Sequence, residues 1–348
     1  MKQKLNLNFN LEHKYISDGC KLCEKGAKMV LFVTGICNFD CFYCPISTHR
    51  RKDVVYANEK KALSDEDVIN EAKIMHALGT GITGGEPLLK LERVLHYINL
   101  LKSEFEEKHH IHLYTAIAPN KAILTALYDA GLDEIRFSPN KDLWGNIENS
   151  LFDTSVKDAI VLGLSVGIEV PALSGVSNLI PFIDKYNIFL NLNELEFSDV
   201  NADELHKRGF ELKNEHSNAV MHSYEYAKEL LWHKSVHFCS SEYKDGVQLK
   251  NRLIRIAKNT AREFDEITED GTVIHGVIKF DDIECVLKML KWLEVSNSLY
   301  EIKEGNCIDI AWWVLEDITE ELKMDGVSLS IIERYPFKNG LVVESIPI

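Results

Sequence analysis

The sequence predicts an α/β fold, an incomplete barrel of six strand–helix units followed by a smaller α+β appendage. Three observations carry this expectation. Apolar, strand-like runs alternate with amphipathic stretches from about residue 28 to 235. The alternation stops near residue 236, and short strands and helices follow in a different order. The chain's 348 residues suffice for one large α/β domain and a small one. The expected division is an N-terminal extension over 1–27, a barrel over 28–235 and a C-terminal α+β domain over 236–348.

The elements read in order as follows. Met29–Thr34 is an apolar run ending at Gly35, hence a strand. Ser64 is placed to N-cap a helix reaching Leu78, with acidic residues in its first turn. A short strand enters Gly81–Gly85, and a helix spans Leu91–Phe105. The strand His110–Thr115 precedes a helix over Lys121–Ala130, and Glu134–Ser138 precedes one over Asp153–Leu164. Val166–Pro171 leads to a helix near Leu179–Tyr186, and Ile188–Glu196 is the sixth strand. Strands and helices in alternation imply a parallel sheet with right-handed crossovers. Six units are too few for a closed eightfold barrel, and ligands of such sheets bind at the carboxyl ends of the strands. In the appendage, 247–263, 283–293 and 308–322 read as helices, and 272–278, 327–333 and 340–345 as strands.

The formal charge of −15 would repel nucleic acid unless a local basic patch overrides it. The stretch with Arg252, Arg255, Lys258 and Arg262 falls at helical spacing and reads first as the solvated face of a helix. No apolar run is long enough to span a bilayer, and MKQKLNLNFNLEHKY has no signal-peptide core, so a cytoplasmic protein with no membrane partner is expected.

Of eight cysteines, Cys20, Cys23, Cys37, Cys41 and Cys44 crowd into one short span. In a chain of this length without a secretory signal, that reads as metal binding rather than a disulfide framework. Gly35-Ile-Cys37-Asn-Phe-Asp-Cys41-Phe-Tyr43-Cys44-Pro directly follows the first strand. Three thiolates on one loop can hold three irons of a cubane cluster and leave the fourth open, whereas a structural zinc site wants four ligands. A zinc knuckle with a borrowed fourth ligand and a redox thiol cluster are the alternatives.

The spacing C-x3-C-x2-C, with Tyr43 before the last cysteine, resembles the radical S-adenosylmethionine (SAM) superfamily. So does Gly84-Gly85-Glu86-Pro87 at the end of the second strand, which is similar to the family segment that pairs with the methionyl amine of SAM. The resemblance implies a 4Fe–4S cluster on Cys37, Cys41 and Cys44 whose open iron is chelated by SAM. One electron, from a donor such as ferredoxin or flavodoxin, then cleaves the S–C5′ bond. The resulting 5′-deoxyadenosyl radical abstracts a hydrogen atom from a small molecule, a peptide or an RNA nucleoside. It also implies that Thr115, Ser138, Glu169, Asn193, Glu194 and Glu196, at or near strand ends, form the rim that binds SAM and substrate. Glu169 reads either as a SAM-ribose partner or as a solvent-facing strand residue. The polar positions from Asn191 to Glu196 are expected to point into the barrel, because helices cover the outer face of a parallel sheet.

Cys20-x2-Cys23, with His237 and Cys239, offers four N/S ligands for zinc or another structural metal, for an auxiliary iron–sulfur cluster, or for neither. Cys285 and Cys307 read as small packing residues, and His110 and His112 as packed or hydrogen-bonded histidines. Over its length the chain resembles an archaeal group related by name to pyruvate formate-lyase activating enzymes. The shared stretches are the Cys20/Cys23 pair, Asn193-Glu-Leu-Glu, His237-Phe-Cys-Ser-Ser and Gln248…Arg252…Arg255. An activase that installs a glycyl radical on a partner enzyme is thus one alternative, although many such activases are shorter and lack the appendage. A zinc or electron-transfer protein without SAM chemistry is another. The appendage is expected to cap the barrel mouth, with Trp312-Trp313 and Tyr335-Pro336-Phe337 on that surface or in its own core.

Overall fold

The computed structural model describes residues 16–337 and 340–348. The N-terminal stretch read above as lacking a signal peptide lies outside them. The chain forms two compact units. The first runs to Lys73 and from Ala77 to Gln248, and the second holds Ile74–His76 and Leu249–Ile348.

The first unit begins with α1 (Asp18–Glu24), β1 (Lys28–Phe32), the hairpin β2 (Val55–Ala57) and β3 (Lys60–Ala62), and α2 (Asp65–Ile74). Then come β4 (Gly79–Thr83), α3 (Leu91–Phe105), β5 (His110–Thr115), α4 (Lys121–Asp129), β6 (Glu134–Phe137), α5 (Leu151–Leu162), β7 (Ser165–Pro171), α6 (Ile180–Tyr186) and β8 (Phe189–Asn193). A longer excursion follows: α7 (Ala202–Lys207), β9 (Leu212–Asn214), β10 (Ser217–Val220) and α8 (Ser223–Lys228). It returns through β11 (Val236–Cys239) and α9 (Ser241–Tyr243). The sheet order is β11-β8-β7-β6-β5-β4-β1-β2-β3, parallel from β11 to β1 and antiparallel through the hairpin.

Caps place several helices where the sequence expects them. Asn120 Oδ1 accepts from Ile123 N (3.0 Å) at the start of α4, and Ser150 Oγ from Phe152 N (3.2 Å) at the start of α5. The second helix stops earlier than expected. His76 adopts a φ of +47°, and Ala77 N bonds back to Ala72 O (2.9 Å), which closes the helix at Ile74. The sixth strand ends at Asn193 rather than Glu196, and β11 adds a parallel strand beyond the six expected units. Because β11 pairs with β8, residues 236–248 group with the first unit and not with the appendage.

Strand alternation gives the sheet two different faces. Met29, Leu31, Ile82, Ile111, Leu113, Ile135, Phe137, Ile168, Leu190 and Leu192 form one buried apolar face. The other carries Lys28, His112, Tyr114, Glu134, Arg136, Glu169 and Asn191, paired in register. α1 lies on this polar face. Gly19 N donates to Glu134 Oε2 (3.4 Å), and a Cβ at Gly19 would stand 2.4 Å from Arg136 Nη2, so only glycine allows the approach.

The second unit contains α10 (Lys250–Thr260), β12 (Glu266–Ile267), β13 (Val273–Phe280), α11 (Ile283–Trp292), β14 (Tyr300–Lys303), β15 (Cys307–Ile310), α12 (Trp312–Asp317), α13 (Thr319–Leu322), β16 (Val327–Arg334) and β17 (Val342–Pro347). Its antiparallel sheet is ordered β14-β15-β13-β16-β17, with β12 also on β13. Ile278, Val286, Leu290, Ile308, Ile310, Leu315 and Leu322 form its core. Among the described residues no helix is long and apolar enough to cross a membrane.

Candidate active site

The carboxyl ends of the parallel strands surround a cavity of about 680 Å³. Cys37, Cys41 and Cys44 line it from the loop after β1, with Tyr43 between the last two. Phe39 N donates to Cys37 Sγ (3.4 Å). Burial pushes the Cys37 thiol up, while that bond and the nearby Arg51 charge act in the opposite direction. Burial likewise raises the Cys41 thiol, against a hydrogen bond with Tyr43. Among the described residues no group of three or more His, Cys, Asp or Glu stands arranged to hold a metal ion. Thiols converge on a metal when the metal binds and displaces their protons. The fit of this loop to an iron–sulfur cluster therefore rests on its donor chemistry: three neighbouring thiols, one of them accepting a backbone N–H and lying near the Arg51 charge.

Gly84 and Gly85 line the same cavity after β4. Gly85 N bonds Thr34 O (2.7 Å), and Glu86 N bonds Ile36 O (2.8 Å). A Cβ at Gly84 would meet Thr34 O at 2.4 Å and one at Gly85 would meet Ile36 O at 2.6 Å. The glycines thus let this loop lie against the backbone of the cysteine loop. Glu86 is fully buried and is not among the cavity-lining residues. Its carboxylate accepts from Leu88 N (3.0 Å), Thr115 Oγ1 (2.8 Å) and Ala116 N (2.8 Å), fastening the β4 loop to the end of β5. Burial raises its pKa despite these bonds.

Thr115, Ser138, Glu169, Asn193, Glu194 and Glu196 all reach the cavity. Several are already committed to one another. Ser138 Oγ donates to Glu169 O (2.7 Å). Glu169 accepts from Arg136 Nη1 (2.6 Å), Asn191 Nδ2 (3.1 Å) and Asn193 Nδ2 (2.9 Å). Burial alone would raise its pKa, but the Arg136 charge and the two amides hold it below the usual range. Asn191 and Asn193 thus share the polar face with Glu169, as expected. Glu194 accepts from Ser241 N (2.8 Å).

Three contributors escaped the sequence reading. Lys244 follows the unrecognised β11 and pairs with Glu196 Oε1 (2.6 Å) at the cavity wall. Tyr114 lines the cavity, and its hydroxyl accepts from Lys28 Nζ (3.2 Å) and Arg136 Nη1 (3.1 Å). Its alternation with His110 and His112 was visible. Asn201, in a segment without periodicity, donates to both Tyr43 O (3.1 Å) and Glu196 O (3.0 Å), and its Oδ1 accepts from Ser198 N (2.7 Å).

Cys20 and Cys23 lie on α1, and His237 and Cys239 on β11. Asn191 Nδ2 donates to Cys20 Sγ (3.2 Å) and Gln248 Nε2 to Cys239 Sγ (3.3 Å). Burial raises the Cys20 thiol and pushes Cys239 up to about 12. His112 is fully buried, and its pKa is held well below the usual value by burial. Cys285 is exposed rather than packed inside, and Cys307 is half-buried. The basic stretch is not a freely solvated face: Arg255 bonds the carbonyls of Met75 and His76, and Arg262 pairs with Asp265, Glu301 and Asp309. Trp312 Nε1 donates to Glu266 Oε2 (2.6 Å), and Tyr335 stacks on Phe337 with ring centroids 6.2 Å apart.

Residues 31–141, which include the cysteine loop and the glycine pair, match the model of the radical SAM superfamily. A protein of Methanocaldococcus jannaschii, provisionally named a glycyl-radical enzyme activating enzyme, is 41% identical across 96% of this chain and 93% of its own length. The chain belongs to the radical SAM superfamily. GTP 3′,8-cyclases are among the proteins similar to part of the chain. That of Staphylococcus carnosus is 31% identical over 55% of this chain and 59% of its own. That of Staphylococcus haemolyticus is 29% identical over 49% and 54%. Residues 271–348 match a domain of unknown function (DUF8061).

Proposed function

We propose that this radical SAM enzyme cleaves SAM reductively at the loop of Cys37, Cys41 and Cys44, and that the 5′-deoxyadenosyl radical abstracts a hydrogen atom from a substrate admitted to the same cavity. The observation that carries the reading is one cavity lined by the three thiols, the glycine pair and the polar ends of four further strands. A 4Fe–4S cluster on the three thiols supplies the single electron for cleavage. The backbone at Gly84 and Gly85, with Tyr43, would hold the methionyl end of SAM, and Glu169, Asn193 and Glu194 would hold its ribose. Thr115 and Ser138 have donated their hydroxyl protons elsewhere and can only accept from SAM. Glu86 serves by fixing the glycine loop. The electron comes from a donor of the ferredoxin or flavodoxin kind, in a cytoplasm that keeps thiols reduced.

The test uses anaerobically reconstituted protein, dithionite and SAM, with 5′-deoxyadenosine read by mass spectrometry. The wild type should form it and Cys41→Ala should not. Equal yields from the two would overturn the reading. Metal left in Cys41→Ala and lost on further substitution of Cys239 would mark zinc or an auxiliary cluster at Cys20, Cys23, His237 and Cys239.

A second reading makes the hydrogen donor a glycine of a partner enzyme. It is favoured by the name of the M. jannaschii relative, which aligns over nearly the whole chain. It requires SAM consumption stoichiometric with a partner protein and a glycyl radical EPR signal on that partner.

A further inference from the structure

The chain carries a net charge of −15, yet the surface next to the cysteine loop is basic. Arg50, Arg51 and Lys52 follow one another, with Arg51 and Lys52 exposed. None of the three has a carboxylate partner among the described residues. Arg50 stacks on the ring of Tyr56 (4.3 Å) and lies over that of Phe32 (6.0 Å). Asp53, next in sequence, is shared by Lys90 Nζ (2.8 Å) and Arg93 Nη1 (2.5 Å). Five cations therefore stand with one carboxylate, and that carboxylate already has two partners.

This patch is bonded to the start of the cysteine loop. Gly35 N donates to Lys52 O (2.8 Å). Thr34 Oγ1 donates to Asp53 Oδ1 (3.0 Å) and accepts from Ile36 N (3.2 Å), the residue before Cys37. Arg93 Nη1 also donates to Val33 O (2.8 Å). Cys37 itself is exposed. A basic patch thus adjoins the most accessible of the three loop thiols.

We propose that this patch is the docking surface for a small acidic protein that delivers single electrons to the group held by Cys37, Cys41 and Cys44. The inference rests on the function proposed above, which requires one electron per cleavage from outside the chain. In the step, the partner's redox centre is oxidised by one electron and the group on the three thiols is reduced by one; no proton or heavy atom moves. A positive patch on an otherwise negative molecule orients an acidic partner toward one face, and such steering raises association rates and makes them salt-dependent. Nucleic acid is disfavoured as the occupant because the rings in the patch, Phe32 and Tyr56, are covered by Arg50.

The experiment measures how fast reduced flavodoxin, as the acidic probe donor, reduces the reconstituted holoenzyme, followed as bleaching of its visible absorbance at several salt concentrations. Lys52→Glu and Lys52→Glu/Lys90→Glu are compared with wild type, and circular dichroism checks their folding. The wild-type rate constant should fall with salt. The double variant should be slower by about tenfold at low salt and nearly salt-independent. Reduction by dithionite, and 5′-deoxyadenosine formed with dithionite, should stay within about twofold of wild type in every variant. Equal flavodoxin rates in wild type and double variant would overturn the docking proposal. So would retention of a short RNA by the wild type and not by the variant, with equal electron-transfer rates. A charge-sensitive flavodoxin rate without any 5′-deoxyadenosine would keep the docking surface and discard SAM cleavage.

Discussion

Each unit sets an arginine among carboxylates, fully buried in the first and half-buried in the second, and the two clusters differ in what lies beside them. Arg136 in the first unit bonds Glu134 (2.5 Å), Glu169 (2.6 Å), Tyr114 (3.1 Å) and Ser17 (2.8 Å). Arg262 in the second bonds Asp265 (2.8 Å), Glu301 (2.8 Å) and Asp309 (2.6 Å), and lies over the ring of Phe264 (4.4 Å). By charge and burial alone both look like functional sites. Only the first opens through Glu169 and Tyr114 onto a cavity that also holds the three loop cysteines. A buried ion network is thus weak evidence of function by itself, and adjacency to the cavity separates the two.

The sharpest way to break this comparison is to neutralise one carboxylate in each cluster. Glu169→Gln removes a charge from Arg136 and places an amide where Asn191 and Asn193 now donate. We expect 5′-deoxyadenosine formation to drop by about a hundredfold, a loss of about 2.7 kcal/mol in transition-state stabilisation. Unfolding stability should fall by about 3 kcal/mol, because a buried charge loses part of its compensation. Asp309→Asn should leave the product yield within about twofold. Comparable losses of activity from both would erase the distinction.

Acid sharpens it further. Burial raises the Asp309 carboxyl, but hydrogen bonds from His275 and Arg262 bring it down to about 2, against an ordinary 3.8. A depressed carboxyl contributes stability above its unfolded pKa and loses it as pH falls through the folded one. The window here runs from about pH 4 down to about pH 2, and the contribution is about 2 kcal/mol. Urea unfolding by tryptophan fluorescence across that window should show a steeper loss in wild type than in Asp309→Asn. Parallel slopes would mean that the second cluster does not hold its charge as the geometry indicates.

Much of the first unit was legible because its elements are short and periodic. α3 and β5 fall on their expected bounds, and the cysteine and glycine loops sit at strand ends as expected. The excursion between β8 and β11 was not legible. It has little hydrophobic periodicity, so neither the hairpin β9–β10 nor the return strand β11 announced itself, and Lys244 was lost with them. Glu86 was legible as a residue and ambiguous as a role. A carboxylate beside two glycines can face a ligand or tie down a loop, and only the positions of Thr115 and Ala116 decide. The Arg262 network could not be seen because two of its partners, Glu301 and Asp309, lie far along the chain on neighbouring strands of an antiparallel sheet.

The smallest expected effect concerns neutral hydrogen bonds at the same cavity. Asn201 is buried and uses both amide hydrogens and its oxygen, and one of those bonds holds Tyr43 O between Cys41 and Cys44. Phe210 stacks on Phe42 nearby, with centroids 6.1 Å apart, and Arg208 lies 4.7 Å over the same ring. Asn201→Leu keeps the volume and removes the bonds, leaving the Tyr43 and Glu196 carbonyls without this partner at a cost of about 1–3 kcal/mol. If the excursion steadies the cysteine loop, iron release to a chelator should quicken by about fivefold in this variant. Arg208→Ala, which removes a charge from the outer side of Phe42 but none of the backbone bonds, should release iron at close to the wild-type rate. Equal acceleration in both would show that the loop responds to any loosening of the excursion, and would deny Asn201 a specific hold on it.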